Sequence, residues 1–285
     1  MKSHPLYREA LWYLGDLENL NLYENYEVRI VNESMSGAQS VERALAVLRA
    51  IASAGEAGAT VAEVATGVGL NRTTAHRIIT ALARQAMVER DTATGRWFPG
   101  AELAMLGALA ATRHGVHRHT AAALTRLAAR SGDTAFLSAP SGYDSVCLAR
   151  EEGAFPIRTQ VLWPGQRHPL GVGAGSLALL AAMPDDKVAD ILDANGERLA
   201  QVYPKLANGR LPQLVERTRA EGYAINEGMI VAGSWAVGVA IRNARGEPVA
   251  ALSLAAIESR MGEDRRRELA DWLLAERDEL ERGAP

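Results

Sequence analysis

A chain of 285 residues with 48% hydrophobic and 23% charged residues is long enough for about two globular domains with buried cores. Its formal net charge of −3 excludes an overall basic protein, and its single cysteine, Cys147, excludes an internal disulfide framework and fits a reducing compartment. No apolar run approaches the roughly 18–20 residues that cross a bilayer, and the N-terminus lacks the apolar stretch of a signal peptide, so we expect a cytoplasmic protein with no membrane partner.

Residues 1–36 are predicted to form an aromatic-rich, acidic N-terminal extension. Residues 1–35 hold three basic and six acidic residues, and a third of the aromatic residues of the whole chain fall within residues 1–34. This composition fits an arm that docks on a partner or on a second copy of the chain. It also fits an extension with no separate role.

Residues 37–100 follow the pattern of a winged helix-turn-helix domain. Apolar residues recur with a 3.6-residue period over residues 40–54, which predicts an amphipathic helix. Thr60 and Glu63 have the spacing of a capping box, which predicts the start of a short second helix that ends at glycine.

A third helix and a wing complete this pattern. Asn71 is a favourable N-cap for a helix over residues 72–85, which would be the recognition helix. Val88 and Arg90 follow a strand-like alternation, DTATG (91–95) has the composition of a turn, and Arg96, Trp97 and Phe98 follow it. This pattern predicts two short antiparallel strands within residues 88–98.

The domain is locally basic although the chain is negative. Residues 36–100 hold seven arginines and five acidic residues. The N-terminal end of a recognition helix enters the major groove of double-stranded DNA, where arginines pair with guanine edges or phosphates. Any one of these side chains is commonplace on a solvated helix face, but the set at this spacing favours DNA. The predicted DNA-binding residues are Asn71, Arg72, Thr73, Thr74, His76 and Arg77 on the helix, with Arg90 and Arg96 at the wing.

Residues 37–107 resemble the DNA-binding half of the isocitrate lyase regulator (IclR-type) family of bacterial transcription factors. The segments that carry the resemblance are QSVERAL (39–45), TTAHRII (73–79) and GRWFPG (95–100). The chain departs from the family at QAM (85–87), where a Gly-Tyr or Gly-Leu pair is usual, and at residues 98–99, where Phe-Pro replaces an aromatic residue and leucine. The resemblance implies a regulator that reads a palindromic operator as a homodimer or tetramer, and it leaves open whether it activates or represses.

Residues 101–115 are predicted to form a linker helix. The stretch 101–114 is apolar on all sides, which fits a helix that is buried or that forms a dimer contact. Such a helix would set the distance between two DNA-reading domains.

Residues 116–285 mix helical and strand patterns and are predicted to form a second domain. Helices are expected over residues 117–130, 175–183, 185–192 and 263–282, strands over 133–141, 145–152, 155–162, 234–243 and 248–257, and a helix that turns at Gly222 into a strand over 211–225. Segments 167–181 and 219–256 resemble the effector-binding half of the same family. The resemblance implies an α+β fold in which an antiparallel, GAF- or PAS-like sheet binds the effector and supports oligomerisation.

The sequence GVGAGS (171–176) is predicted to bind the effector. Glycines at a helix start leave amides open to approach, and these amides and the helix dipole attract carboxylate oxygens. The alternatives are a loop needed only for tight packing and, more weakly, a nucleotide site. The family senses small organic acids, so the resemblance implies an acid here.

The other wall of the effector site is predicted from the last strands. Ala236 falls near the position of a family cysteine, whereas Cys147 lies elsewhere and is not assigned to the pocket. Trp235 would favour a large, aromatic acid, but neighbours in a strand face opposite sides, so only Trp235 or Ala236 can line the cavity. The predicted effector-binding residues are Gly173, Ala174, Gly175, Ser176, Asn226, Glu227, Met229, Trp235, Ala236 and Ser253.

Enzyme and metal chemistry are not favoured, and no cofactor is expected. His114, His117 and His119 lack a nearby cysteine or carboxylate pair, so a solvated cluster is favoured over a metal site. The hydrolase motif G-x-S-x-G is absent, and Arg150, Glu151 and Glu152 are interpreted as a solvated charge run. The remaining alternatives to a DNA-binding regulator are a sensor that acts through protein partners and an enzyme with an accessory helix-turn-helix.

Overall fold

The N-terminal part is a three-helix unit with a two-stranded wing, as predicted. The computed structural model describes residues 38–111, 116–157 and 161–282. The helices are α1 (Gln39–Ser53), α2 (Val61–Gly67) and α3 (Arg72–Arg84), and the wing pairs β1 (Val88–Arg90) with β2 (Trp97–Pro99). Val47, Ile51 and Ile79 are fully buried in their shared core. The predicted extension (1–36), His114 and the side chains of His117 and His119 lie outside the described residues.

The connection from α3 to the wing is unusually tight. Ala86 has φ of 52°, in the left-handed region that costs a residue with a Cβ about 1–2 kcal/mol. This is the position where the resemblance predicts a glycine. A Cβ at Gly100 would collide with the carbonyl of Ala86, so the end of the wing packs backbone to backbone on this turn.

Helix α4 (Ala101–Ala111) follows the wing and presents apolar side chains to the surface. Met105, Leu106 and Leu109 are 56%, 44% and 70% exposed. The prediction of a helix over residues 101–115 therefore holds over 101–111, the part that the structure describes, whereas its role as a linker stays a prediction. Its exposed apolar face is unlike that of an ordinary surface helix. Of the helices that the structure describes, none is long and apolar enough to cross a membrane.

The second part is built on a six-stranded antiparallel sheet in the order β5-β4-β3-β8-β7-β6. Its strands are β3 (Thr134–Ser141), β4 (Asp144–Glu151), β5 (Arg167–Pro169), β6 (Ala224–Glu227), β7 (Ser234–Arg242) and β8 (Pro248–Ile257). Its helices are α5 (Val116–Ser131), α6 (Ala174–Ala181), α7 (Asp185–Val202), α8 (Arg210–Glu221) and α9 (Glu263–Arg282). The predicted α+β fold with an antiparallel sheet is confirmed.

Both faces of the sheet are covered, so the strand alternation divides its residues between two cores. Val237, Val239 and Ile241 of β7 pack with α5 and α9. The intervening residues of β7 face α6, and Gly238 lies directly beneath it. Because a strand shows alternate residues to opposite sides, the face of each residue follows from this register.

The predicted strand over residues 155–162 is wrong. Of these residues, 155–157 and 161–162 are described and belong to no strand, and β5 occupies the sheet edge instead. The chain leaves β4 and crosses against Gly132, where the amides of Gly153 and Phe155 bond to the carbonyls of Asp133 and Gly132. The residues of this run that the structure describes therefore leave the sheet instead of pairing with it.

Helix α7 is longer than the predicted 185–192. Asn195 and Gly196 favour a turn, yet both lie inside the helix. The side-chain amide of Asn195 donates to the carbonyl of Tyr143 at 2.8 Å, a contact between distant segments that the local pattern does not reveal.

We expect Gly238→Ala to destabilise the second domain by about 2 kcal/mol or more. An added Cβ would lie 2.7 Å from backbone atoms of Ala174 and Gly175, and backbone cannot yield without lifting α6 from the sheet. Urea unfolding measures the change. The matched control is Gly196→Ala in α7, where a Cβ meets no atom within 4 Å and should add about 1 kcal/mol of helix stability. A Gly238→Ala protein as stable as wild type would contradict the close packing.

His168 of β5 is a buried titratable group at the sheet edge. Burial, and secondly the positive charge of Arg198, lower its pKa from 6.5 to about 4. The Tyr203 hydroxyl lies 3.4 Å from its Nδ1. His168 is therefore neutral in the folded protein at neutral pH.

We expect the wild type to lose stability relative to His168→Gln as the pH falls from 6.5 towards 4. Between pH 6.5 and 4, His168 is protonated in the unfolded chain but stays neutral in the folded chain. The stability present above pH 6.5 is therefore lost as the pH falls, by about 3 kcal/mol at most. Urea unfolding of both proteins at a series of pH values measures the difference. Parallel pH profiles would contradict the assignment.

Candidate nucleic-acid interface and effector site

Asn71 fixes the start of the recognition helix α3. Its Oδ1 accepts a hydrogen bond from the Thr74 amide at 2.8 Å, and no other side chain is needed to begin the helix. Its side-chain oxygen is thus committed to the cap. Ala75 and Ile79 are fully buried and hold one side of α3 against α1 and α2.

The opposite side of α3 is an exposed polar row. Arg72, Thr73, His76 and Arg77 are exposed, whereas Thr74 is half-buried. Within the described part of the chain, neither Arg72 nor Arg77 forms an ion pair. Their guanidinium groups are therefore available to an external anion.

Thr80 joins this row and was missed by the sequence reasoning. It lies one turn beyond His76 and Arg77 and donates its hydroxyl proton to the His76 carbonyl at 2.8 Å. Thr80 is half-buried. The i, i+3, i+4 and i+7 spacing from Thr73 is the signal that finds it.

The wing turn is rigid. The Asp91 carboxylate accepts hydrogen bonds from the amides of Ala93 and Thr94 at 2.7 and 2.9 Å, and the backbone bond from Thr94 is the main cause of its lowered pKa. Arg90 is exposed and donates through Nε to the carbonyl of Gly95 at 3.2 Å. Among the described residues its other donors have no hydrogen-bond partner, so they can face solvent or DNA.

Arg96 is an anchor of the wing, and its predicted contact with DNA stays a prediction. Its Nη2 bonds both carboxylate oxygens of Glu63, at 2.9 and 3.1 Å, and its Nε bonds the carbonyl of Ala57 at 2.8 Å. Glu63 also completes the predicted capping box with Thr60. One carboxylate thus caps α2 and holds the wing, so the Arg96 charge is already matched.

The predicted glycine loop seats α6 on the sheet. Gly175 lies against Ser253 of β8, where an added Cβ would be 3.3 Å from the hydroxyl oxygen. No side chain caps the N-terminus of α6, and the first amides of a helix have no partner within it. Ala174, Gly175 and Ser253 therefore lie together at the uncapped start of α6, and their contact with an effector stays a prediction.

Ser176 has a structural role, which corrects its prediction as a ligand contact. Its hydroxyl accepts from the Gly171 amide at 3.0 Å and donates to the Pro169 carbonyl at 3.3 Å. Both capacities are used to fold the loop that leads into α6.

Four of the predicted residues on β6 and β7 divide between opposite faces. Asn226 pairs with Ala236, and Ala236 packs with Ala174 on the α6 face. Glu227 pairs with Trp235 on the α9 face, where Arg266 bonds Glu227 at 2.9 Å and stacks on the Trp235 ring at 5.2 Å. Trp235 and Glu227 therefore do not lie on the α6 face with the other predicted effector-binding residues. Trp235 gives no support for an aromatic acid from this position.

The remaining predicted residues lie beside the α6 face. The Oδ1 of Asn226 accepts from the Met229 amide at 3.2 Å, which holds the turn after β6. Met229 and its neighbour Ile230 pack on the core beneath α6, and an added Cβ at Gly173 would lie 3.3 Å from Ile230.

An apolar cluster completes this face and was not predicted. Phe136 and Cys147 pack with Ala174, Ala236 and Ala255, and Leu162 covers them. Cys147 therefore shares the predicted pocket face, contrary to its placement elsewhere, and burial raises its pKa to about 12, so it is a neutral apolar group. Only the strand register, which joins distant segments, reveals the cluster.

The side chain of Arg150 is buried, which corrects its interpretation as part of a solvated charge run. Its side chain is 4% exposed, and the guanidinium group pairs with Glu152 and stacks on Trp163 at 4.3 Å. It pairs in register with Phe136, so it points to the same face as the apolar cluster.

A cavity of about 510 Å³ lies at the C-terminal end of α6, beside the turn between β7 and β8. Arg219, Arg242 and Arg245 line it, and each of them is bonded to a nearby carboxylate or backbone carbonyl. It is an open groove away from the α6 N-terminus. Among the residues described, no group of three or more His, Cys, Asp or Glu side chains could hold a metal ion.

Comparisons with known proteins agree with both halves of this structure. Residues 40–92 match the IclR helix-turn-helix domain, and residues 108–281 match the family described as the bacterial transcriptional regulator IclR C-terminal domain. The HTH-type transcriptional regulator BhcR of Paracoccus denitrificans is 28% identical over 252 residues, which cover 88% of this chain and 89% of BhcR.

Solved structures show the same fold. An IclR-type regulator from Alicyclobacillus acidocaldarius superposes with a TM-score of 0.72 at 25% identity, covering 86% of this chain and 98% of that one. An IclR homologue from Microbacterium hydrocarbonoxydans, solved in complex with 4-hydroxybenzoate, superposes with a TM-score of 0.69 at 19% identity, covering 85% and 98%. The chain belongs to the IclR family of bacterial transcriptional regulators, with an N-terminal helix-turn-helix domain and a C-terminal effector-binding domain.

Proposed function

We propose that α3 reads an operator through the exposed row of Arg72, Thr73, His76, Arg77 and Thr80. The observation that carries this proposal is that the two arginines of the row are exposed and unpaired among the described residues, while Arg96 is anchored. A free guanidinium at the N-terminal part of a recognition helix can pair with a guanine edge in the major groove. Arg90 at the wing supplies a phosphate contact.

We further propose that two copies of the chain bind a palindromic operator. The apolar side chains of α4, together with Val41 and Leu45 of α1, are exposed on the DNA-binding half. A second copy would bury this surface and fix the spacing of the two recognition helices at about one helical turn of DNA or a multiple of it.

The effector proposed here is a small organic acid bound at the N-terminus of α6. The uncapped amides of α6 would bind oxygen atoms of the acid, and Ser253 and Asn226 border the same face. Phe136, Cys147 and Leu162 would contact an apolar body. A related fold crystallised with 4-hydroxybenzoate supports an aromatic acid as one candidate.

We expect Arg77→Ala to weaken operator binding by about 1–3 kcal/mol, or about 5- to 150-fold, because it removes a base contact. The matched control is Arg84→Ala, which removes an exposed arginine from the last turn of the same helix and should change affinity far less. Fluorescence anisotropy with DNA selected in vitro by the full chain measures both.

Selectivity for the operator over random DNA separates a base contact from a phosphate contact. Arg77→Ala should lower selectivity for the operator over random DNA, whereas a phosphate contact would weaken both alike. Equal affinities of Arg77→Ala and Arg84→Ala would remove Arg77 from the reading face. A wild-type chain with no selective DNA binding would favour a sensor acting through protein partners or an enzyme.

Thermal melting against a panel of acids tests the effector. We expect at least one of benzoate, 4-hydroxybenzoate, glyoxylate and pyruvate to stabilise the full chain, by about 2.7 kcal/mol at a hundred times its dissociation constant. Stabilisation by the aromatic acids alone would match the apolar cluster, and stabilisation by the two small acids alone would leave the α6 amides as the main determinant. No shift with any of them would remove the acid effector.

A further inference from the structure

We propose that Arg150 recognises the negative charge of the effector, an assignment that rests on the acid effector proposed above. The ligand class that fits is a carboxylic acid with an apolar body of about ring size. Its carboxylate would bond the Arg150 guanidinium, and a second polar group would reach the amides of α6.

The first observation is that Arg150 is buried with donors left over. Its side chain is 4% exposed, and its Nε and Nη1 are buried with no hydrogen-bond partner among the described residues. Glu152 occupies Nη2 and balances part of the charge from a side chain that is 32% exposed. Buried N–H donors of a charged group cost free energy unless an acceptor meets them, and a guanidinium offers only donors.

A second arginine in the same domain shows what a structural role looks like. Arg260 also stacks on an aromatic ring, that of Phe155 at 3.9 Å. Its Nε and Nη2 bond the carboxylate of Asp133 at 2.8 and 3.2 Å, and Nη2 also bonds the Ser131 carbonyl at 3.1 Å. Arg150 has the stacking partner without this set of acceptors.

The second observation is the position of Arg150 in the sheet. Arg150 pairs with Phe136 across β4 and β3, and Phe136 pairs with Ser253 across β3 and β8. Ser253 lies against Gly175 at the start of α6. Neighbouring strands are about 4.8 Å apart, so the backbones of Arg150 and Ser253 are about 10 Å apart on one face.

The surface between these two ends is apolar. Phe136 and Cys147 lie on it, and Leu162 packs over them next to Trp163, which covers the guanidinium. The Arg150 charge opposes the rise that burial causes in the Cys147 pKa, as expected for two groups on one face. A flat acid would therefore place its charge at Arg150 and its body on Phe136.

Replacement of Arg150 separates recognition from structure. We expect Arg150→Met to leave the melting temperature of the ligand-free full chain unchanged or higher, because a buried, partly unsatisfied charge is removed. The matched control, Arg260→Met, should lower it, because the buried Asp133 loses both hydrogen bonds from Arg260 and keeps only the longer ion pair with Arg265 at 3.6 Å. Operator affinity without acid should be unchanged in Arg150→Met.

Ligand binding is measured with benzoate, 4-hydroxybenzoate and the neutral 4-hydroxybenzamide. We expect the wild type to be stabilised by at least one of the two acids and not by the amide. Arg150→Met should bind that acid at least about tenfold more weakly, and Arg150→Lys should retain part of the response because it keeps the charge.

The outcomes distinguish the two proposals. An undiminished acid response in Arg150→Met overturns the role of Arg150 and leaves the acid site in place. Equal stabilisation of the wild type by the acid and the amide, or a loss of ligand-free stability in Arg150→Met as large as in Arg260→Met, also overturns it. A wild type that responds to neither aromatic acid overturns the ring-sized ligand and Arg150 with it, and the response to glyoxylate and pyruvate then decides whether the acid effector survives.

Discussion

The effector domain depends on the backbone contact between α6 and β7 at Gly238. With no side chain at this position, the first turn of α6 comes within van der Waals distance of the sheet, and an added Cβ would lie 2.7 Å from Ala174 and Gly175. The contact brings the uncapped amides of α6 onto the strand face that also carries Ser253 and Phe136. Without it, the amides and the apolar cluster would not share one surface.

Local signals in the sequence predicted most of the elements but not the composition of the site. The capping hydrogen bonds of Thr60, Glu63 and Asn71 each join residues three positions apart in the chain. Their capping roles could therefore be predicted from the sequence, and they are confirmed. The effector site depends on register between distant strands. A shift of one residue exchanges faces, and this is why Trp235 and Glu227 fall on the α9 side while Ala236 and Asn226 fall on the α6 side.

The same limit applies to charge. Arg77 and Arg96 are the same residue type in the same domain and cannot be told apart from the sequence. In the structure Arg77 is exposed without an ion pair among the described residues, whereas Arg96 bonds Glu63, 33 residues earlier in the chain. Arg150 stands in a run of three charged residues that predicts solvent exposure, but a register shift in the β3–β4 pairing places it opposite Phe136, on the covered α6 face. The role of an arginine is set by the acceptors that the fold brings to it.

A ligand shifts a conformational equilibrium only through a difference in its affinity for the two states. Among the described residues of the effector domain, the first amides of α6 have no side-chain cap, and the Nε and Nη1 of Arg150 are buried without a hydrogen-bond partner. An acid that bonded both the α6 amides and Arg150 would stabilise the conformation in which α6 and β4 have the present separation. It would bind more weakly to a conformation in which that separation differs. The unsatisfied donors would thus lower the stability of the ligand-free state and give the proposed acid its differential affinity, so recognition and response would have the same physical origin.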